Sequence, residues 1–297
     1  MKHITMIFLF CGVISCFAQE QEAPELDLGK STFKLVSRCG EKKRPVAGEK
    51  LNGTIILRNK NGEPASGIKA ADIKVFVMED GKTYEKELPG IIFQRPGDAL
   101  FTFDPGTKDP GAMTLALSIK GELLEKTLPI KYLSADEHID QSQVLWKGAE
   151  RFYGKGTIGQ SFVTGNIENI SRIKVMGRKR KPDSGIGQPV LKLYEWKDNY
   201  ETTVSIPPLV ECADPKQSGN LLEYKVNCNI KPNSKYYFEL SLPGGKGDKK
   251  DDFIYVWRCP FYNSTKETPY KDGEMYKSGK ACQGRDLMFY TFYPIKK

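Results

Sequence analysis

The stretch MTLALSIKG, Met113–Gly121, decides the fold class. Met113, Leu115, Leu117 and Ile119 share one parity, and Thr114, Ala116, Ser118 and Lys120 share the other. A β-strand sends successive side chains to opposite faces, so this spacing predicts a strand with one face on a core and one in water. Its four large apolar residues recur at every second position rather than at the i, i+3, i+4 spacing of an amphipathic helix. Working outward, ALFTFDPG (Ala99–Gly106) places Ala99, Phe101 and Phe103 on one face and stops at Asp104-Pro105-Gly106. IKVFVMEDGK (Ile73–Lys82) ends in Asp80-Gly81, a hairpin signal. Residues 28–133 therefore predict one β-sandwich of about seven strands, the size of an immunoglobulin-like domain.

SADEHIDQSQV (Ser134–Val144) is polar and does not alternate, so it reads as a linker, 134–144, with room for a short helical turn near Asp136 and Glu137. Beyond it the alternation returns. VLKLYEW places Leu191 and Leu193 on one face, with Lys192, Tyr194 and Trp196 on the other. EYKVNCNI turns Tyr224, Val226, Cys228 and Ile230 inward. DLMFYTFYPI is apolar on both parities, as a central strand covered from both sides would be. Residues 145–297 predict a second sandwich, and the fold class is all-β throughout.

The chain has 297 residues, enough for two domains, and 28 Gly with 18 Pro supply the turns that many short strands need. Its N-terminus, MKHITMIFLFCGVISCFAQ, carries Lys2 before an apolar run from Ile4 to Phe17. That is the pattern of a secretory signal peptide spanning 1–18, cut after Ala18, and it predicts a secreted, periplasmic or cell-surface protein. Lipidation at Cys16, after small Ser15, is the competing reading. No later run reaches the length of a membrane span. The net charge of +8 suits an acidic partner and equally suits plain solubility.

Seven cysteines occur, two of them, Cys11 and Cys16, in the leader. Outside the cell, Cys212, Cys228, Cys259 and Cys282 can form two disulfides. The local pairings Cys212–Cys228 and Cys259–Cys282 are favoured over the two other connectivities, and each would contribute about 3 kcal/mol by closing a loop. Cys39 reads as a small buried hydrophobe. The cysteines lack C-x-x-C spacing and His138 is the one histidine after the leader, so no metal site and no cofactor are expected.

In VMGRKRKPDSGIG (Val175–Gly187), the cations Arg178, Lys179, Arg180 and Lys181 lie between two alternating stretches. With Pro182 to Gly185 they read as a charged hairpin loop. The run holds no aromatics of the kind that single-stranded nucleic acid stacks on, so nucleic acid is not an expected partner. For catalysis there is no G-x-S-x-G and no H-E-x-x-H, and the acidic trio Glu195, Asp198 and Glu201 reads as solvated.

The stretches PVAGEKLNGTIILRNKNGEPASG (45–67) and GIIFQRPGDALFTFDPGTKDPGAMTLALSIKG (90–121) resemble filamin-type and bacterial immunoglobulin-like domains over about 100 residues. The second half resembles jelly-roll accessory modules of secreted bacterial proteins. That likeness is carried by GTIGQSFVTGNIENISRIKVM (156–176), QPVLKLYEW (188–196), IKPNSKYYFELSLPGG (230–245) and GRDLMFYTF (284–292). It implies a carbohydrate-binding or anchoring module rather than a catalyst.

Aromatic placement adds a candidate site. All three tryptophans, Trp146, Trp196 and Trp257, fall at or beyond the start of the second sandwich. Trp196 shares the outward face with Lys192 and Tyr194, and Tyr200 follows closely. Sugars lay apolar C–H faces on such rings while polar groups fix their hydroxyls. These four residues are therefore the candidate ligand-binding platform, against the alternative that packing covers Trp196. Trp257 and Trp146 read as core packing and an interdomain plug. Three functions stay open: a non-catalytic module for a glycan or other cell-surface component with the first sandwich as spacer, a secreted polysaccharide-active enzyme using a carboxylate pair, and a purely structural envelope protein.

Overall fold

The structure, a computed structural model, describes residues 25–37, 45–88, 90–106, 111–133, 137–144, 148–181, 185–248, 250, 253–259 and 270–295. The leader, Cys39 and Trp146 lie outside the described residues, as does the side chain of Cys259.

The chain is all-β, as expected. Its first sandwich is built from β1 (Leu26–Val36), β2 (Leu51–Asn59), β3 (Ile73–Glu79), β4 (Lys82–Lys86), β5 (Ile91–Arg95), β6 (Asp98–Phe103), β7 (Gly111–Ile119), β8 (Glu122–Leu123) and β9 (Leu128–Tyr132). One sheet runs β1-β2-β6-β5; the other runs β4-β3-β7, with β8 and β9 both on β7. Lettered along the chain, with β4 as C′, this is A-B-E-D facing C′-C-F-G, the strand order of an immunoglobulin-type sandwich. The residues that alternation turned inward, Ala99, Phe101, Phe103, Met113, Leu115, Leu117 and Ile119, meet Val75, Val77, Ile55 and Leu57 in one core. Asp80 (φ 49°) and Gly81 (φ 75°) join β3 to β4, because a two-residue turn that matches the strand twist needs two left-handed residues.

The second sandwich follows as β10 (Glu137–Gln143), β11 (Gly148–Phe152), β12 (Ile158–Val163), β13 (Asn169–Lys179), β14 (Val190–Glu195), α1 (Tyr200–Ser205), β15 (Val210–Cys212), β16 (Lys216–Ser218), β17 (Leu221–Asn229), β18 (Lys235–Ser241), β19 (Ile254–Cys259), β20 (Met275–Lys277), β21 (Lys280–Ala281), β22 (Asp286–Leu287) and β23 (Phe289–Pro294). An eight-stranded sheet runs β10-β23-β13-β17-β16, with β19 joining β13 to β11 and β22. It faces a six-stranded sheet, β15-β14-β18-β12-β20-β21. Between them lies the main core, which takes Leu191, Leu193, Tyr224, Val226, Phe238 and Phe289.

Three expectations need correction. The stretch read as a linker carries β10, antiparallel to β23. Its register against β23 shifts between Ile139 and Ser142, and polar Ser142 and Gln143 are themselves buried, so neither alternation nor polarity marks the strand. Ile139 still packs inward, joining Val144, Met176, Met288, Tyr290 and Phe292 in a second apolar cluster. This explains the two-sided apolar run: Leu287 and Phe289 enter the main core, while Met288, Tyr290 and Phe292 enter the second cluster. Val46 of the first sandwich packs on that cluster, and Asn52 Nδ2 donates to the Val144 carbonyl at 3.2 Å.

The basic run is not a loop. β13 continues through Lys179 with Arg178 opposite Tyr255, and the Arg180 amide donates to the Phe253 carbonyl at 3.0 Å. The partner strand arrives some seventy residues later, which local spacing cannot reveal.

Neither expected disulfide is formed. Cys212, Cys228 and Cys282 are free thiols. Cys212 Sγ lies 3.1 Å from the Lys225 carbonyl oxygen, and Cys228 Sγ lies 3.4 Å from that of Asn229. Burial raises the pKa of all three. Among the described residues, no helix is long and apolar enough to cross a membrane.

Candidate functional site

The candidate platform lies on the outer face of the six-stranded sheet. Period two along β14 buries Leu191 and Leu193 in the core and turns Lys192, Tyr194 and Trp196 out. Across the ladder, β18 contributes Glu239 opposite Lys192 and Tyr237 opposite Tyr194. The Tyr194 and Tyr237 rings stack with centroids 6.3 Å apart. On the other flank, β12 offers Gly159 opposite both Glu239 and Tyr276. A Cβ at Gly159 would sit 2.4 Å from the Tyr237 hydroxyl, so the glycine makes the space that this ring occupies.

Helix α1 then closes over the face. Asn199 caps it by accepting from the Thr202 amide at 2.9 Å, and buried Thr203 donates to the Asn199 carbonyl at 2.7 Å. The helix lays Tyr200 and Val204 on the aromatic cluster. Tyr200 stacks on Tyr276 at 5.4 Å and meets Tyr237 edge-on at 5.6 Å.

Trp196 sits at the rim, half-buried. Its ring meets Tyr237 edge-on at 6.2 Å and Tyr276 at 5.7 Å, and Lys235 Nζ stands 4.1 Å from its centroid. Burial lowers the Lys235 pKa. Beneath the rings lies Glu239, 7% exposed, whose Oε2 accepts from Tyr200 at 2.8 Å and from Tyr237 at 3.3 Å. Burial, reinforced by the Glu239 charge, pushes the Tyr194 and Tyr200 phenols up to about 12.

Tyr194, Trp196 and Tyr200 are thus brought together. Lys192 shares their face, with its Nζ 3.4 Å from Glu211 on the neighbouring strand. The sequence reading missed Lys235, Tyr237, Glu239 and Tyr276. Period two in KYYFELS held the signal for the first three, since it alternates Tyr236, Phe238 and Leu240 inward. Tyr276 comes from a strand too short to show a period.

The acidic trio does not form a pair. Glu195 is held by Lys231 at 2.6 Å and Lys197 at 3.3 Å, and both cations lower its pKa, while Asp198 and Glu201 are exposed. Trp257 is partly buried on the second apolar cluster, with Arg178 Cζ 5.9 Å from its ring. Among the described residues, no group of three or more metal-ligating side chains converges.

No protein-family model matches the chain, and no curated protein matches it. Solved structures similar in part to it include the Lin-41 filamin domain, at 16% identity and a TM-score of 0.27, covering 37% of this chain and 97% of that one. The Yersinia pseudotuberculosis adhesin InvE is similar at 12% identity and a TM-score of 0.30, covering 89% of this chain and 60% of that one. The serine-rich repeat protein Srr2 of Streptococcus agalactiae is similar at 9% identity and a TM-score of 0.22, covering 84% of this chain and 91% of that one. Likenesses at these TM-scores assign no function.

Proposed function

We propose that the chain is an exported, non-catalytic surface module. Its second sandwich, a jelly roll spanning 145–297 with β10 as an added edge, binds carbohydrate through the patch centred on Trp196; the first sandwich, 28–133, is a spacer. What carries the proposal is the pairing of Trp196 with Tyr200, both partly buried with an edge left in solvent, over a floor of buried Tyr194, Tyr237 and Tyr276. Stiff, preorganised rings lose little entropy when a sugar face settles on them. Lys235 and Lys192 supply donors at the edge for hydroxyls. The leader 1–18 would deliver the chain outside the cytoplasm. A neutral-glycan array with wild type and Trp196→Ala tests this. Binding by the wild type, with loss in the variant, is expected; equal binding by both removes the platform.

A further inference from the structure

A second face of the same sandwich carries a different chemistry. Tyr255 on β19 stands directly between Arg151 on β11 and Arg178 on β13. Neighbouring strands are about 4.8 Å apart, so the two arginine stems leave the sheet about 10 Å apart with an aromatic ring between them. Ile254 and Val256 are fully buried in the core, which places Tyr255 and both arginines on the outer side of the eight-stranded sheet.

Arg151 and Arg178 are exposed, and among the described residues neither makes an ion pair or a hydrogen bond. Rings hold them instead. Arg151 Cζ lies 5.0 Å from the Phe253 centroid and 5.8 Å from that of Tyr255, and Arg178 Cζ lies 5.9 Å from that of Trp257. A guanidinium stacked on a ring keeps its in-plane N–H donors available, and those donors match a carboxylate two at a time.

We propose that this face binds an acidic polysaccharide, its carboxylates on Arg151 and Arg178 and a sugar ring on Tyr255. The proposal rests on the reading of the chain as an exported binding module, which favours a polysaccharide over a nucleic acid, but it uses a face other than the Trp196 patch.

The test is binding to sensor surfaces coated with polygalacturonate, neutral dextran or a single-stranded oligonucleotide, at about 0.15 M salt so that loose charge attraction is screened. Wild type should bind polygalacturonate at least about tenfold more tightly than either other surface. Arg151→Gln/Arg178→Gln, and separately Tyr255→Leu, should each lose about tenfold or more. Trp196→Ala should bind polygalacturonate like the wild type, which separates this face from the other patch. Thermal unfolding checks that each variant is folded, and single arginine variants replace the pair if it is not. Absence of polygalacturonate binding, equal or tighter binding to the oligonucleotide, or unchanged binding by the folded arginine variants would each overturn the proposal.

Discussion

The Tyr200 hydroxyl donates to Glu239 Oε2 at 2.8 Å, tying α1 to strand β18. The acceptor is a buried carboxylate, and a hydrogen bond to a charged group contributes about 1.5–3 kcal/mol. Tyr200→Phe removes the bond and keeps the ring. It should lower the thermal midpoint by several degrees and loosen the helix, seen as faster amide exchange across 200–205. An unchanged midpoint would show that ring stacking on Tyr276 alone seats the helix.

The same patch sets an alkaline limit. Tyr194 and Tyr200 are raised to about 12 from an ordinary value of 10.0. A raised folded value means the neutral phenol is favoured in the native state. The resulting stabilisation is complete below pH 10 and is lost as the pH climbs from 10 towards 12. Phenolate absorbance should therefore rise in two stages, with the patch tyrosines in the later one, alongside Tyr132, Tyr224 and Tyr270, which burial raises further, or together with unfolding. A single native stage near pH 10 for all fourteen tyrosines would contradict this.

Glu150 on β11 collects three cations: Arg258 at 2.6 Å, Lys277 at 2.8 Å and Arg285 at 3.1 Å. Burial pushes its carboxyl up, but Lys277 and Arg258 outweigh burial and hold it below the ordinary carboxylate range. Its contribution is present above pH 4.5 and is lost as the pH falls through the depressed value. Glu150→Gln strands three positive charges at the end of the sandwich. Because Lys277 and Arg285 are 40% and 36% exposed, solvent tempers the loss to about 2 kcal/mol. Urea melts at pH 7 and pH 3.5 should differ less in the variant than in the wild type; an equal difference would rule the cluster out as a source of acid sensitivity.

Free thiols are directly countable. Cys212, Cys228 and Cys282 are partly buried, and burial raises their pKa above 9.0. A thiol reagent at pH 7 should label them slowly in the native protein and rapidly in denaturant, without prior reduction, because only the thiolate reacts. Failure to label Cys212 and Cys228 without a reductant would mean that they are bridged.

Alternation made the inner residues of both sandwiches legible, from Met113 to Ile119 and from Leu191 to Leu193, because burial on one face leaves a period in the sequence. It failed where buried residues are polar and the ladder is irregular. In β10, Ser142 and Gln143 are buried and the register shifts between Ile139 and Ser142, so no period marks the strand. It failed again where the partner is distant: the cations of β13 read as a loop because Phe253, Tyr255 and Trp257, which interleave with them, lie far along the chain. At the candidate site, Tyr194, Trp196 and Tyr200 were visible as outward aromatics. The buried acceptor Glu239 was not, since a lone acidic residue in a strand usually faces water.

Strands β10 and β23 have one further consequence. They are antiparallel neighbours, and Glu137, where β10 begins, lies opposite Pro294, where β23 ends. Tension drawn in through β10 and resisted beyond β23 would act at one end of their shared ladder. It would open the backbone bonds one after another, like a zipper, rather than shearing them all at once. Under load the second sandwich should therefore yield first along this seam, peeling away an outer strand while the sheets that carry both aromatic faces stay joined.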